Sequence, residues 1–169
     1  MTTLALIRSM SRPVLAAVSL LCAIPLAWAA SRRAVAYPDG YRHWTHLSST
    51  FIGPEAPPAS MSELGVHHIY ANALALEGLR TGHYTDGAKL VYDLLATRTA
   101  NGVTKTAERL RLDVMEKDSA RYRDSGGWGF ESFVGGDRNA GRVADRGATM
   151  CYSCHAQKTT QGVFSVFRE

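Results

Sequence analysis

Cysteine is scarce in this sequence. Three in 169 residues are too few for the disulfide framework that holds small secreted domains together. No block of Lys and Arg stands out despite a formal net charge of +4, so the chain lacks the basic stripe of a nucleic-acid binder. The apolar stretch from Val14 to Trp28 is about 15 residues, short of the roughly 20 that a spanning helix needs, and Pro25 sits near its end. Four long helical periodicities are also missing, which excludes a four-helix bundle. No methionine follows Met150, so a methionine ligand far downstream of position 150 is excluded too.

The N-terminus has a different logic. Arg8 and Arg12 precede the apolar stretch, and Ala27-Trp28-Ala29 closes it with small residues at the −3 and −1 positions. This is the pattern of a secretory signal peptide over residues 1–29, with cleavage after Ala29 or Ala30. Leu21 before Cys22 does not suit lipidation. Cleavage removes Cys22, Arg8 and Arg12 and leaves Cys151 and Cys154 as the only cysteines. The mature chain of about 140 residues suits one domain, periplasmic and without a stable membrane anchor.

Those two cysteines stand in Cys151-Tyr152-Ser153-Cys154-His155, the attachment signature for c-type haem. The thiols add across the porphyrin vinyl groups, and the adjacent histidine supplies an axial nitrogen to iron. A disulfide at this spacing would close a tiny loop and stabilise little. A zinc site would want a second ligand pair, which is missing. One covalently bound haem c is the expected cofactor.

Along the chain, residues 30–36 form a short tether and 37–169 the haem domain. Pro38-Asp39-Gly40 leads into a short helix with Tyr41 and Trp44 on one side, and Gly53–Ser60 is a proline-rich loop. Val66–Tyr70 is a strand. Asn72 then N-caps a helix to Thr81 that turns Leu74, Leu76 and Leu79 inward and ends at Gly82. A hairpin follows, with strands from Lys89 to Leu95 and Lys105 to Glu116 and a type I′ signal at Asn101-Gly102. Alternation puts Leu110, Leu112 and Val114 on one face, with Arg109, Arg111 and Asp113 on the other. Ser119–Arg123 is a short helix and Trp128–Phe133 another strand. A polar loop from Gly135 to Thr149 delivers the haem motif, and Val163, Phe164, Val166 and Phe167 close the domain. The fold class is mainly β (α+β): an antiparallel sheet with a few short helices and a C-terminal haem attachment loop.

In this order and spacing, several motifs resemble the cytochrome P-460 family, which includes the β-sheet cytochromes c′. They are Tyr41-Arg42-x-Trp44, His68-Ile69-Tyr70-Ala71-Asn72, Gly82-x-x-x-Asp86-Gly87, Lys117-Asp118, Gly127-Trp128-Gly129-Phe130, and Cys151 to His155 followed by Val163-Phe164. The resemblance covers roughly Tyr37 to the end. It implies an antiparallel β fold, usually a homodimer, with five-coordinate haem c. Some members oxidise hydroxylamine; others bind nitric oxide without that activity.

The hydroxylamine-oxidising members cross-link a lysine to the porphyrin, five residues after the Asp-Gly glycine. Here that position is Tyr92, and Lys89 falls on the opposite strand face. The cross-link is therefore expected to be absent, with Tyr92 packed against the haem edge. The family's distal carboxylate corresponds to Asp113, which either serves as proton acceptor over the iron or pairs with Arg111 or Arg109 in solvent. His67 and His68 point to opposite faces, so at most one reaches the iron, and Tyr70, Tyr92, Trp128 and Phe130 are candidates for the pocket. Met115 and Met150 are packing residues.

Three functions stay open. One is a five-coordinate binder of a small gas, nitric oxide foremost. The second is a hydroxylamine-oxidising enzyme with Asp113 catalytic and a soluble cytochrome as electron acceptor. The third is an electron carrier with two axial ligands.

Overall fold

The computed structural model describes residues 34–158 and 161–168, with backbone only for 59–61. The expected signal peptide and most of the tether lie outside them. Among the described residues no helix is long and apolar enough to cross a membrane.

Five antiparallel strands form one sheet in chain order: β1 Thr45–Ile52, β2 Gly65–Ala71, β3 Lys89–Ala100, β4 Val103–Lys117 and β5 Trp128–Val134. One nine-residue helix, α1 Ala73–Thr81, interrupts this meander. The mainly β expectation holds. The β3–β4 hairpin turns where predicted, with Asn101 at φ +52° and Gly102 at φ +76°, the positive pair that a type I′ turn requires.

Period-2 alternation gives the sheet two distinct faces. Register aligns Ile69, Tyr92, Asp113 and Ser132 in one row and Ala71, Leu90, Met115 and Phe130 in the next. This front face carries one apolar cluster, to which α1, Tyr84, Val143 and Val163 contribute. Behind it, Val91, Leu112, Val114 and Phe133 pack against Val35, Tyr41 and Tyr122.

Helix α1 starts as expected. Asn72 Oδ1 accepts from Ala75 N at 2.9 Å and also from Lys89 N at 3.0 Å, so one side chain caps the helix and ties it to β3. Gly82, at φ +73°, ends it. Its most buried residues are not leucines. Ala75 and Gly78 are buried while Leu74 is 45% exposed. A Cβ at Gly78 would lie 2.2 Å from the Tyr84 ring, so the helix docks through its small residues and only Leu76 and Leu79 reach the cluster.

Three other expectations shift. Strand β1 was absent from the sequence reading because Thr45–Ile52 is mostly exposed and carries no apolar alternation. A 3-10 turn at Pro58–Glu63 occupies the end of the proline-rich loop. The short helix expected at Ser119–Arg123 is a 3-10 turn at Arg123–Ser125.

The largest correction concerns β4. Arg111 pairs with Leu94 and Arg109 with Leu95, which leaves Leu110 in a bulge, 41% exposed. The extra residue breaks the alternation, so Leu110 does not share the buried face of Leu112 and Val114, and Arg109 does not share that of Arg111. Arg109 turns to the back. There its Nε donates to Asp93 at 2.6 Å and its Nη2 to the Tyr41 hydroxyl at 2.6 Å.

Candidate functional site

Loop 135–149 carries the haem motif round the β5 edge, and one carboxylate shapes it. Glu131, 4% exposed, accepts from the backbone amides of Arg142, Val143 and Ala144 at 2.6–3.0 Å, and from that of Ser132 at 3.0 Å. The Val143 amide among them is buried and needs such an acceptor, while that of Arg142 also reaches the Ser132 carbonyl at 3.1 Å. The chain then enters a π-helical turn, Ala148–Tyr152, which continues through Ser153–His155. Cysteines three apart on a helical turn present their sulfurs to one side.

The His155 ring is fixed from three directions. Its Nδ1 lies 2.7 Å from the Gly162 carbonyl, an oxygen that can only accept, so Nδ1 carries the proton and Nε2 keeps its lone pair. Phe130 and Phe164 flank the ring at 4.9 and 4.7 Å between centroids. Burial lowers the His155 pKa, against an upward pull from the Gly162 bond, so the ring is the neutral imidazole that a metal ligand must be.

Beside His155 and Cys151 opens a cavity of about 1030 Å³, at the upper end of the roughly 300–1,000 Å³ typical of cofactor sites. Its inner wall is the front face of the sheet, including Ile69, Leu90, Met115 and Phe130. Met150, Phe164 and Val166 also line it and are each more than half exposed. An uncovered apolar rim on a concave site is what a large apolar ligand would bury. Cys151 is half-buried, and burial pushes its thiol pKa up; Cys154 is exposed and does not line the cavity. The apolar walls, two free thiols and a neutral histidine with a prepared tautomer suit haem c. Cys151 and Cys154 would bond its vinyl carbons and His155 its iron.

One part of the wall is polar. Arg111 donates through Nε to Asp113 Oδ2 at 2.7 Å, through Nη2 to Glu63 Oε1 at 2.5 Å, and through Nη1 to the Ser62 carbonyl at 3.0 Å. Ser132 Oγ donates to the other oxygen of Asp113 at 2.6 Å. Tyr92 donates its hydroxyl to Glu63 Oε2. The His67 ring stacks on Tyr92 at 4.6 Å, with Nδ1 3.1 Å from the same hydroxyl. Burial opposes ionisation of Glu63, but the Tyr92 and Arg111 hydrogen bonds outweigh it and hold the carboxyl below its ordinary pKa. Burial and Glu63 together raise the Tyr92 pKa, so the phenol stays protonated.

Of the residues expected near the iron, Tyr92, Asp113 and Phe130 line the cavity, and His67 does so in place of His68. His68 and Tyr70 sit on the back face. His68 Nδ1 meets Ser49 Oγ at 2.7 Å, and Tyr70 packs edge-on to Tyr41 at 5.3 Å. They alternate with His67 and Ile69, so strand parity removes both from the pocket. Trp128 is buried against Tyr84 and donates Nε1 to the Gln161 carbonyl at 2.7 Å, which makes it part of the packing. Lys89 pairs with Glu116 at 3.1 Å, and no lysine lines the cavity. Glu63 and Glu131 were missed. Neither lies in a recognisable motif, and both act through contacts across the fold.

A family model described as Cytochrome P460 matches residues 38–165. No curated protein matches the chain.

Proposed function

Because this chain belongs to the cytochrome P460 family and so to the haem-binding cytochromes, we propose that it is an exported c-type cytochrome that binds a small nitrogen-oxide ligand, nitric oxide foremost. Cys151 and Cys154 hold one haem, and His155 is the axial ligand. Bound haem supplies an iron centre that takes a diatomic ligand and exchanges an electron. Gly162 and the flanking Phe130 and Phe164 rings orient the imidazole, while the apolar front face supplies the inner wall against which the haem would pack.

The observation that carries this proposal is the engagement of Asp113. Hydroxylamine oxidation by this family's route needs a free carboxylate as proton acceptor. Asp113 is instead taken up at both oxygens, one by Arg111 Nε and the other by Ser132 Oγ. The tyrosine at position 92 and the lysine-free cavity wall also speak against the cross-linked enzyme. A second axial ligand is disfavoured because His67 is turned onto Tyr92 and Met150 is 53% exposed.

The test is the ferrous spectrum followed by nitric oxide titration and a hydroxylamine assay with an artificial oxidant. A high-spin spectrum with ordinary c-type bands, nitric oxide uptake and no steady turnover are expected. A low-spin spectrum with a split visible band rejects the open site. Steady turnover abolished by Asp113→Ala would establish the oxidase instead.

A further inference from the structure

The charges on the polar wall do not balance. Glu63 and Asp113 share a single guanidinium, that of Arg111. Their remaining partners, the Tyr92 and Ser132 hydroxyls, are neutral donors, which leaves one uncompensated negative charge. Among the described residues two other charged side chains line the cavity and cancel in sign. Glu131 spends its carboxylate on three loop amides and the Ser132 amide of β5, and Arg168 is exposed.

From this we infer that the wall is a charge filter: the cavity admits neutral ligands of the iron and repels anionic ones such as azide and nitrite. The inference rests on the haem site proposed above and adds a selection rule to it. A single charge acts strongly here because the cavity is mostly apolar, and a field in a low-dielectric cleft is screened less than one in water. The hydrogen bonds matter as much as the count. The wall cannot turn Arg111 toward an entering anion without stripping Glu63 and Asp113 of their ion pair. Its guanidinium is the wall's one cation, and three fixed acceptors on Asp113, Glu63 and Ser62 hold it. Nitric oxide carries no charge and meets no such barrier.

The experiment titrates ferric holoprotein with azide at neutral pH, and ferrous holoprotein with nitric oxide, by visible absorption. Parent, Asp113→Asn and Glu63→Gln are compared; both substitutions keep the shape and remove one negative charge. Each variant should bind azide about tenfold more tightly than the parent, equivalent to about 1.4 kcal/mol, a larger factor than any change in its nitric oxide affinity. Unchanged azide affinity in both variants, including no binding anywhere, overturns the filter. If the variants lose haem, the parent alone decides. Salt screens the repulsion, so azide affinity should rise with ionic strength, and a flat or falling dependence overturns the inference. Failure of the parent to bind nitric oxide would count against the proposed function while leaving the azide comparison intact.

Discussion

Arg109 and Arg111 are two residues apart on one strand, yet they serve opposite faces of the sheet. The bulge at Leu110 turns Arg109 back to Asp93 and Tyr41 and leaves Arg111 forward on Glu63 and Asp113. One strand thus supplies the cation for a structural cluster and the cation for the cavity wall, and the two can be altered independently.

The rear cluster should dominate stability. Asp93 is fully buried and accepts from Arg109, Arg42 and Tyr41. Asp93→Ala leaves the Arg109 guanidinium half-buried without its counter-ion and should cost about 3–5 kcal/mol. Denaturant unfolding measures the loss. The haem bands of the surviving folded fraction should not move, because the cavity lies on the other face.

Acid should unfold the protein through its paired carboxylates. Burial alone would raise the Asp93 pKa, but the Arg109 and Tyr41 hydrogen bonds overcome it and set the folded value below the ordinary 3.8; Glu63 likewise sits below 4.5. A depressed folded pKa contributes stability that is full above the unfolded value and is lost as pH falls through the folded one. The contribution of these two carboxylates should therefore be level above about pH 5 and fall steeply below about pH 4. Asp93→Asn should flatten that acid limb while lowering stability at neutral pH, as unfolding curves across the range would report.

Glu131 should control the attachment loop. Glu131→Ala removes the carboxylate shared by four backbone amides; the Arg142 amide keeps the Ser132 carbonyl, but that of Val143 is buried, and an unsatisfied buried donor costs about 1–3 kcal/mol. Limited proteolysis should cut the Gly141–Arg146 stretch faster in the variant, and the yield of covalently attached haem should fall. A parent-like cleavage pattern would contradict this role.

Gly162 serves His155 through its backbone, so its side chain matters only through φ. It sits at φ +82°, where any other residue is strained by about 1–2 kcal/mol. A Cβ there would clear its neighbours at 3.5 Å or more. Gly162→Ala should therefore act by rotating the carbonyl away from Nδ1. The expected readout is a lowered iron–histidine stretching frequency by resonance Raman, since the lost bond makes the ligand less basic.

Much of this molecule was legible in its sequence where a local rule decides the outcome. Asn101-Gly102 specified the hairpin turn through backbone sterics, and Asn72 and Gly82 marked the two ends of α1. Cys151 to His155 pointed to haem, and membership of a cytochrome family supports haem binding. Strand parity correctly opposed His67 to His68, although which of the two faces the cavity depended on register with β3. The failures have physical causes of another kind. The bulge at Leu110 has no glycine or proline to announce it, so simple alternation assigned Arg109 to the wrong face. Of the leucines of α1, Leu76 and Leu79 do pack inward, but Leu74 does not, because the helix approaches most closely through Ala75 and Gly78. Glu63 could not be found from local pattern, since its importance is created by Arg111 and Tyr92, 48 and 29 residues away.

The meander has a consequence for assembly. Each strand pairs with its sequence neighbours, so loop closure is short at every step and the sheet gains order without distant partners. The inner wall of the cavity ends at Val134, well before the first thiol at Cys151. The segment bearing both sulfurs and the axial nitrogen follows the whole sheet in sequence, like a clasp, and completes the cradle from outside with Val143, Met150, Val163 and Phe164. Covalent attachment can finish the fold without having to start it.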